Sequence, residues 1–133
     1  MNKNQLEIVH EMKSDKTIEE AIQSLEKELK EEGFGVLWQV NFKDKLAEKG
    51  LDLAEDFVVL EVCNPKEAKK ALEINPAVGY VLPCKMVVRK EEEQSYIGMT
   101  NPEVLISLFD EEKLNQLAAD VKKSLEKSIE AAL

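Results

Sequence analysis

The chain has 133 residues, 44% hydrophobic and 34% charged, with 18 Lys plus Arg against 27 Asp plus Glu and a formal net charge of -9. A chain of this length buries roughly two thirds of its unfolded surface as one domain without staples. The negative balance and a single arginine, Arg89, exclude a phosphate-attracting surface, so neither nucleic acid nor an anionic membrane is an expected partner.

Residues 6–12, LEIVHEM, set Leu6, Ile8, His10 and Met12 against Glu7, Val9 and Glu11, the alternation of a half-buried strand. Thr17 and Glu20 then make a T-x-x-E capping box. Ile18, Ala21, Ile22, Leu25 and Leu29 fall on one helical stripe, and Gly33 suits the left-handed residue after the helix. Phe34 to Val40 reads as a strand with Phe34, Val36, Trp38 and Val40 on one face, which makes Trp38 a core residue. A short peripheral helix is expected over Phe42 to Lys49, entered through Asn41 and ended by Gly50.

Phe57 to Cys63, FVVLEVC, carries the strongest strand pattern. Asn64 supplies a helix cap and Pro65 the first helical position, with a helix to about Glu73 and a stop at Asn75-Pro76. Val81 to Lys90 and Gln94 to Met99 form a predicted hairpin across the charged KEEE segment, with Pro83 near the strand start or at an edge. Asn101-Pro102 opens a short helical segment. Asp110 is the expected cap of a long final helix whose stripe runs through Leu114, Leu117, Ala118, Val121, Leu125 and Ile129. That stripe must be covered by the sheet or by a second chain.

This order predicts an α+β fold of two layers: a mostly antiparallel sheet of about five strands, helices packed on one face, and a long C-terminal helix. Residues 1–109 form the α+β domain, and the helix of 110–133 packs on it or on a dimer partner. No apolar run approaches the roughly 20 residues of a membrane span, and MNKNQLEIVHEMKSD has no apolar signal core, which predicts a cytoplasmic location.

Five residues carry candidate chemistry. Cys63 directly precedes the Asn64 cap, where the positive end of the next helix lowers a thiol pKa; a buried apolar thiol finishing a strand is the other reading. Glu61 shares the Cys63 face by alternation, and a carboxylate on so apolar a strand must be solvated, paired or raised in pKa. Cys84 meets Cys63 if the strand from Val81 pairs beside that from Phe57, as two reduced thiols or as a disulfide. His10, the lone histidine, is a hydrogen-bonded half-buried strand residue, a base for a thiol or a metal ligand.

The cysteines, with 20 residues between them, no CxxC and no neighbouring histidine, do not have zinc spacing, so no metal site and no cofactor are predicted. The absence of a Gly-rich phosphate loop, G-x-S-x-G, H-E-x-x-H and an acidic calcium loop makes a non-enzymatic protein the expectation.

Taken together, GFGVLWQV, FVVLEVCNPKEAKKAL, NPAVGYVLPCKMVV and TNPEVL resemble the family named domain of unknown function 302, from about Gln5 to Ile106. Cys63, Asn64, Pro65 and Ala68, then Leu82, Pro83 and Cys84, carry the resemblance. It implies a compact α+β domain with an antiparallel sheet, often dimeric, and no known activity. The chain departs from that pattern at Glu61-Val62 and Lys85. Two functions follow as expectations: a binding or redox- and sulfur-linked module in which Cys63 and Cys84 handle a thiol, sulfur species, metal or small ligand, or a homodimeric interaction protein without catalytic activity.

Overall fold

Alternation along the strand Phe57–Cys63 sets the layers of this computed structural model, which describes residues 7–133. In chain order the elements are β1 (Val9–Ser14), α1 (Ile18–Glu31), β2 (Gly35–Asn41), α2 (Phe42–Glu48), β3 (Phe57–Cys63), α3 (Pro65–Ile74), a 3-10 turn (Pro76–Tyr80), β4 (Cys84–Glu91), β5 (Gln94–Thr100), α4 (Pro102–Ser107) and α5 (Glu112–Ala132). The five strands make one antiparallel sheet in the order β1-β5-β4-β3-β2. The fold is α+β, as the sequence predicts.

On β3, Val58, Leu60 and Val62 are buried and lie opposite Val88, Met86 and Cys84 of β4. Ile97 and Met99 of β5 continue that face. Ala21, Leu25 and Leu29 of α1 and Leu125, Ile129 and Ala132 of α5 cover it, forming the larger core cluster. Each fully buried Leu, Ile or Met contributes on the order of 1.5–3 kcal/mol of transfer free energy.

A smaller cluster lies beyond the end of the sheet, where Ala71, Val78, Ile106, Leu114 and Ala118 pack with Leu82, Phe109 and Leu117. The stripe on α5 is therefore covered within the chain: its first half closes the small cluster and its second half the large one. Lys16 Nζ donates to the Ala132 carbonyl at 2.7 Å, satisfying one of the last-turn acceptors that a helix leaves open.

The opposite face of the sheet is more polar. Arg89 donates through Nε and Nη2 to both carboxylate oxygens of Glu11 at 2.9 and 2.8 Å, and its guanidinium lies 4.4 Å over the Tyr96 ring. A forked, partly desolvated pair of this kind fixes the β1-β5-β4 side of the sheet more firmly than a solvated ion pair does. α2 lies against β2 and β3, with Phe42 and Phe57 in an edge-on contact at 6.1 Å.

Four local expectations are corrected. The β2–β3 register shifts between Val36 and Trp38, so Val36 still faces the helices while Trp38 pairs with Glu61 on the opposite face and is 54% exposed. One extra residue, Leu37, reverses the alternation after it. β4 begins at Cys84 rather than Val81, because the Pro76–Tyr80 turn and its Val81 and Leu82 amides, which donate to the Val78 carbonyl, use up the preceding residues. Asp110 is not a cap: it takes a left-handed φ of 52° closing the turn after α4, and Glu111 begins α5 without a side-chain cap. The first strand is described from Val9, and Leu6 falls outside the described residues.

Candidate functional site

The corner between β3 and α3 is built locally. Asn64 adopts an extended backbone, and its Oδ1 accepts from the amides of Lys66 at 3.2 Å and Glu67 at 3.4 Å. Pro65 presets the first helical φ and withholds no needed donor. A cap of this type contributes about 1 kcal/mol. The corner is also fixed from the side by Gly33, whose φ of 84° closes α1: a Cβ there would stand 3.2 Å from Asn64 Nδ2. Position 33 therefore needs glycine for both its backbone and its neighbour.

Val62 of β3 pairs with Cys84 of β4, which sets Cys63 one residue past the last pair. Both cysteines are unbridged. Together with Asn64 they border a cavity of about 60 Å³ at the seam between the two core clusters. Val62 and Phe34 form its sheet side, Ala68 and Ala71 its α3 side, and Leu114, Leu117, Ala118 and Val121 its α5 side. Small residues at 68, 71 and 118 leave the space open, and the lining is overwhelmingly apolar. A second, wider groove of about 470 Å³ shares Leu82, Pro83, Cys84, Pro102 and Ile106 with it and is rimmed by Glu61, Tyr80, Lys85 and Thr100.

The helix-dipole expectation for Cys63 is not met, since burial pushes its thiol pKa up. The amides at the start of α3 point at Asn64 Oδ1, so they are already used by the cap when the thiol needs them. Burial likewise pushes Cys84 up, to about 11, with Cys63 and Glu61 adding smaller repulsions of the same sign. At neutral pH both are thiols, and a thiol is a poor nucleophile.

Glu61 meets the demand for a partner by pairing with Lys85 directly across the β3–β4 ladder, at 3.4 Å, on the face away from the helices. It borders the outer groove and not the inner cavity. His10 sits on β1 opposite Met99, borders neither cavity, and has a buried Nε2 with no hydrogen-bond partner among the described residues. The structure thus brings Cys63, Asn64 and Cys84 together, leaves Glu61 on the neighbouring rim, and separates His10. Ala71 and Ile106 complete the cavity without any sequence signal of their own, Pro102 was visible only as a helix start, and Lys85 only as a departure from the family pattern.

Among the described residues no group of three or more His, Cys, Asp and Glu side chains is placed to hold a metal ion, and no helix is long and apolar enough to cross a membrane. The model of a family described as "Domain of unknown function DUF302" matches residues 10–132 and so extends over α5. Among solved structures, the crystal structure of an uncharacterized conserved DUF302 protein from Bacillus stearothermophilus is similar at 42% identity with a TM-score of 0.91, covering 95% of this chain and 98% of that one. No curated protein matches the chain at a significant level.

Proposed function

Because the chain belongs to the DUF302 family, whose name assigns it no activity, we propose a function from the cavity itself: a binding module that holds a small, weakly hydrated ligand against Cys63 and Cys84. The observation that carries this reading is that the unbridged residues Cys63 and Cys84 and a nearly continuous apolar lining border one space at the seam of two cores. Apolar pockets with few placed polar groups are the usual form of small-ligand sites. The raised thiol pKa values favour binding over nucleophilic catalysis.

Pressurising a solution of the reduced protein with xenon and following backbone amide NMR shifts tests the reading, since dry apolar cavities admit such probes. Saturable shifts are expected at Cys63–Ala68 and Leu117–Val121 and are expected to vanish in Ala118→Phe, which fills the space. Shifts confined to other regions, or none that saturate, contradict it.

A second reading, a homodimeric interaction protein, is supported by a different observation. Leu37, Trp38, Phe42, Leu51 and Leu53 are all large, apolar and exposed, and they fall within one stretch of chain that runs from the edge strand β2 through α2 to the loop before β3. Clustered exposed apolar side chains beside an edge strand are a common mark of an interface. Sedimentation velocity is expected to show a dimer at micromolar concentration that dissociates in Trp38→Glu. A wild-type monomer there removes this reading and leaves the first intact.

A further inference from the structure

We propose that the outer groove is a second ligand site, which takes a free α-amino acid with an apolar side chain, its ammonium on Glu61 and its carboxylate on Lys85. This goes beyond the inner cavity and does not depend on that cavity being occupied.

The end of the sheet makes the groove. β4 begins at Cys84 where β5 stops at Thr100, so the chain entering one strand and the chain leaving the other diverge at the same place. Leu82 and Pro83 line the groove from the segment before β4, Leu105 and Ile106 from α4, and Glu61 and Lys85 from the sheet itself. Its volume of about 470 Å³ lies within the roughly 300–1,000 Å³ of small-molecule sites, and its lining has their form: mostly apolar, with a few polar groups brought together.

The polar groups define the ligand. Glu61 and Lys85 face each other across the β3–β4 ladder with Nζ 3.4 Å from Oε1, and among the described residues this is the one ion pair that either makes. An ammonium donates, and a carboxylate accepts, more hydrogen bonds than a single contact uses, so both retain capacity toward the groove. A simple carboxylate would gain Lys85 and be repelled by Glu61; a simple amine would gain Glu61 and be repelled by Lys85. A zwitterion gains both. An α-amino acid carries its two charges on one carbon, close enough to lie head to head on such a pair. Having no net charge, it is not repelled by a chain of formal net charge -9.

The apolar walls then receive the side chain. Tyr80, on the same groove, is 94% exposed and contributes little to either core cluster, which leaves its ring available as contact area over a ligand. Glycine has no side chain to place against these walls. The ion pair and the apolar lining together therefore select for charge and for side chain at once.

The test is an amide NMR titration of the protein with L-leucine. Saturable shifts are expected at Val81, Lys85, Thr100 and Leu105, and no saturable shifts from 4-methylpentanoate, which lacks the ammonium, from isopentylamine, which lacks the carboxylate, or from glycine. Lys85→Met and Glu61→Gln are each expected to weaken leucine binding about tenfold or more, the loss of one charge-assisted contact. The Lys85 side chain is more than half exposed, so Lys85→Met keeps the test valid if Glu61→Gln does not fold. Absence of saturable leucine shifts in that region, equal shifts from any of the three controls, or unchanged affinity in Lys85→Met overturns the inference. Each of those results leaves the inner cavity and its xenon test untouched.

Discussion

Between pH 9 and 11 the wild-type protein is expected to lose roughly 2–3 kcal/mol of stability relative to its Cys84→Ala variant. In the unfolded chain the Cys84 thiol ionises from its ordinary value of 9.0, while in the folded protein burial holds the proton until about 11. The folded state thus binds more protons than the unfolded state across that interval, and stability falls as pH rises. The contribution of the neutral buried thiol is fully present below pH 9 and is lost as the pH passes through about 11. Urea unfolding at half-unit intervals from pH 8 to 11 reads it directly. Because every other ionisable group is present in both proteins, the difference between the two curves isolates Cys84. Parallel curves would mean that the thiol is solvated and that the cavity beside it is wet.

Leu114→Ala is expected to cost about 2–5 kcal/mol and, at the same time, to strengthen xenon binding. Leu114 is almost completely buried in the smaller core cluster and forms part of the cavity wall. Removing its isobutyl group deletes contacts to neighbours that relax only partly, and the vacated volume joins the existing space. Stability and ligand capacity should therefore move in opposite directions. A variant that loses stability without any gain in xenon affinity would show that position 114 packs the core without bounding the ligand space. Chemical denaturation and the same NMR titration supply both readouts.

Local chemistry made much of this fold legible. The T-x-x-E box at Thr17 and Glu20 forms as spaced, with Glu20 Oε1 accepting from the Thr17 amide at 3.1 Å and Thr17 Oγ1 from the Glu20 amide at 3.2 Å. Asn64-Pro65, Asn75-Pro76 and Asn101-Pro102 each open a helical segment with an asparagine side-chain cap. These signals act within four residues, so the sequence states them outright. Alternation on β3 likewise assigned Val58, Leu60 and Val62 to one face without reference to any partner strand.

What the sequence hid depends on distant partners. The extra residue at Leu37 that turns Trp38 outward is a property of the β2–β3 register, and no local pattern in GVLWQVN marks it. The β4–β5 turn places Glu92 and Glu93 at φ of 46° and 69°, where Asn-Gly would have announced a two-residue hairpin. The stripe on α5, which had to be covered by the sheet or by a second chain, serves two clusters of the same chain, and the cavity lies where they meet. Cys63 and Cys84 could be named from sequence, but the small side chains of Ala71 and Ala118 that make room beside them acquire meaning only once α3 and α5 are seen to face each other.

The reading of this protein turns on whether the space at Cys63 and Cys84 is a dry pocket that a ligand can enter. Xenon pressurisation of crystals of the reduced protein measures that directly, because xenon occupies apolar cavities and avoids hydrated ones. The predicted result is a xenon peak bounded by Cys63, Cys84, Ala68 and Leu117. Ordered water in that position with xenon absent would contradict it.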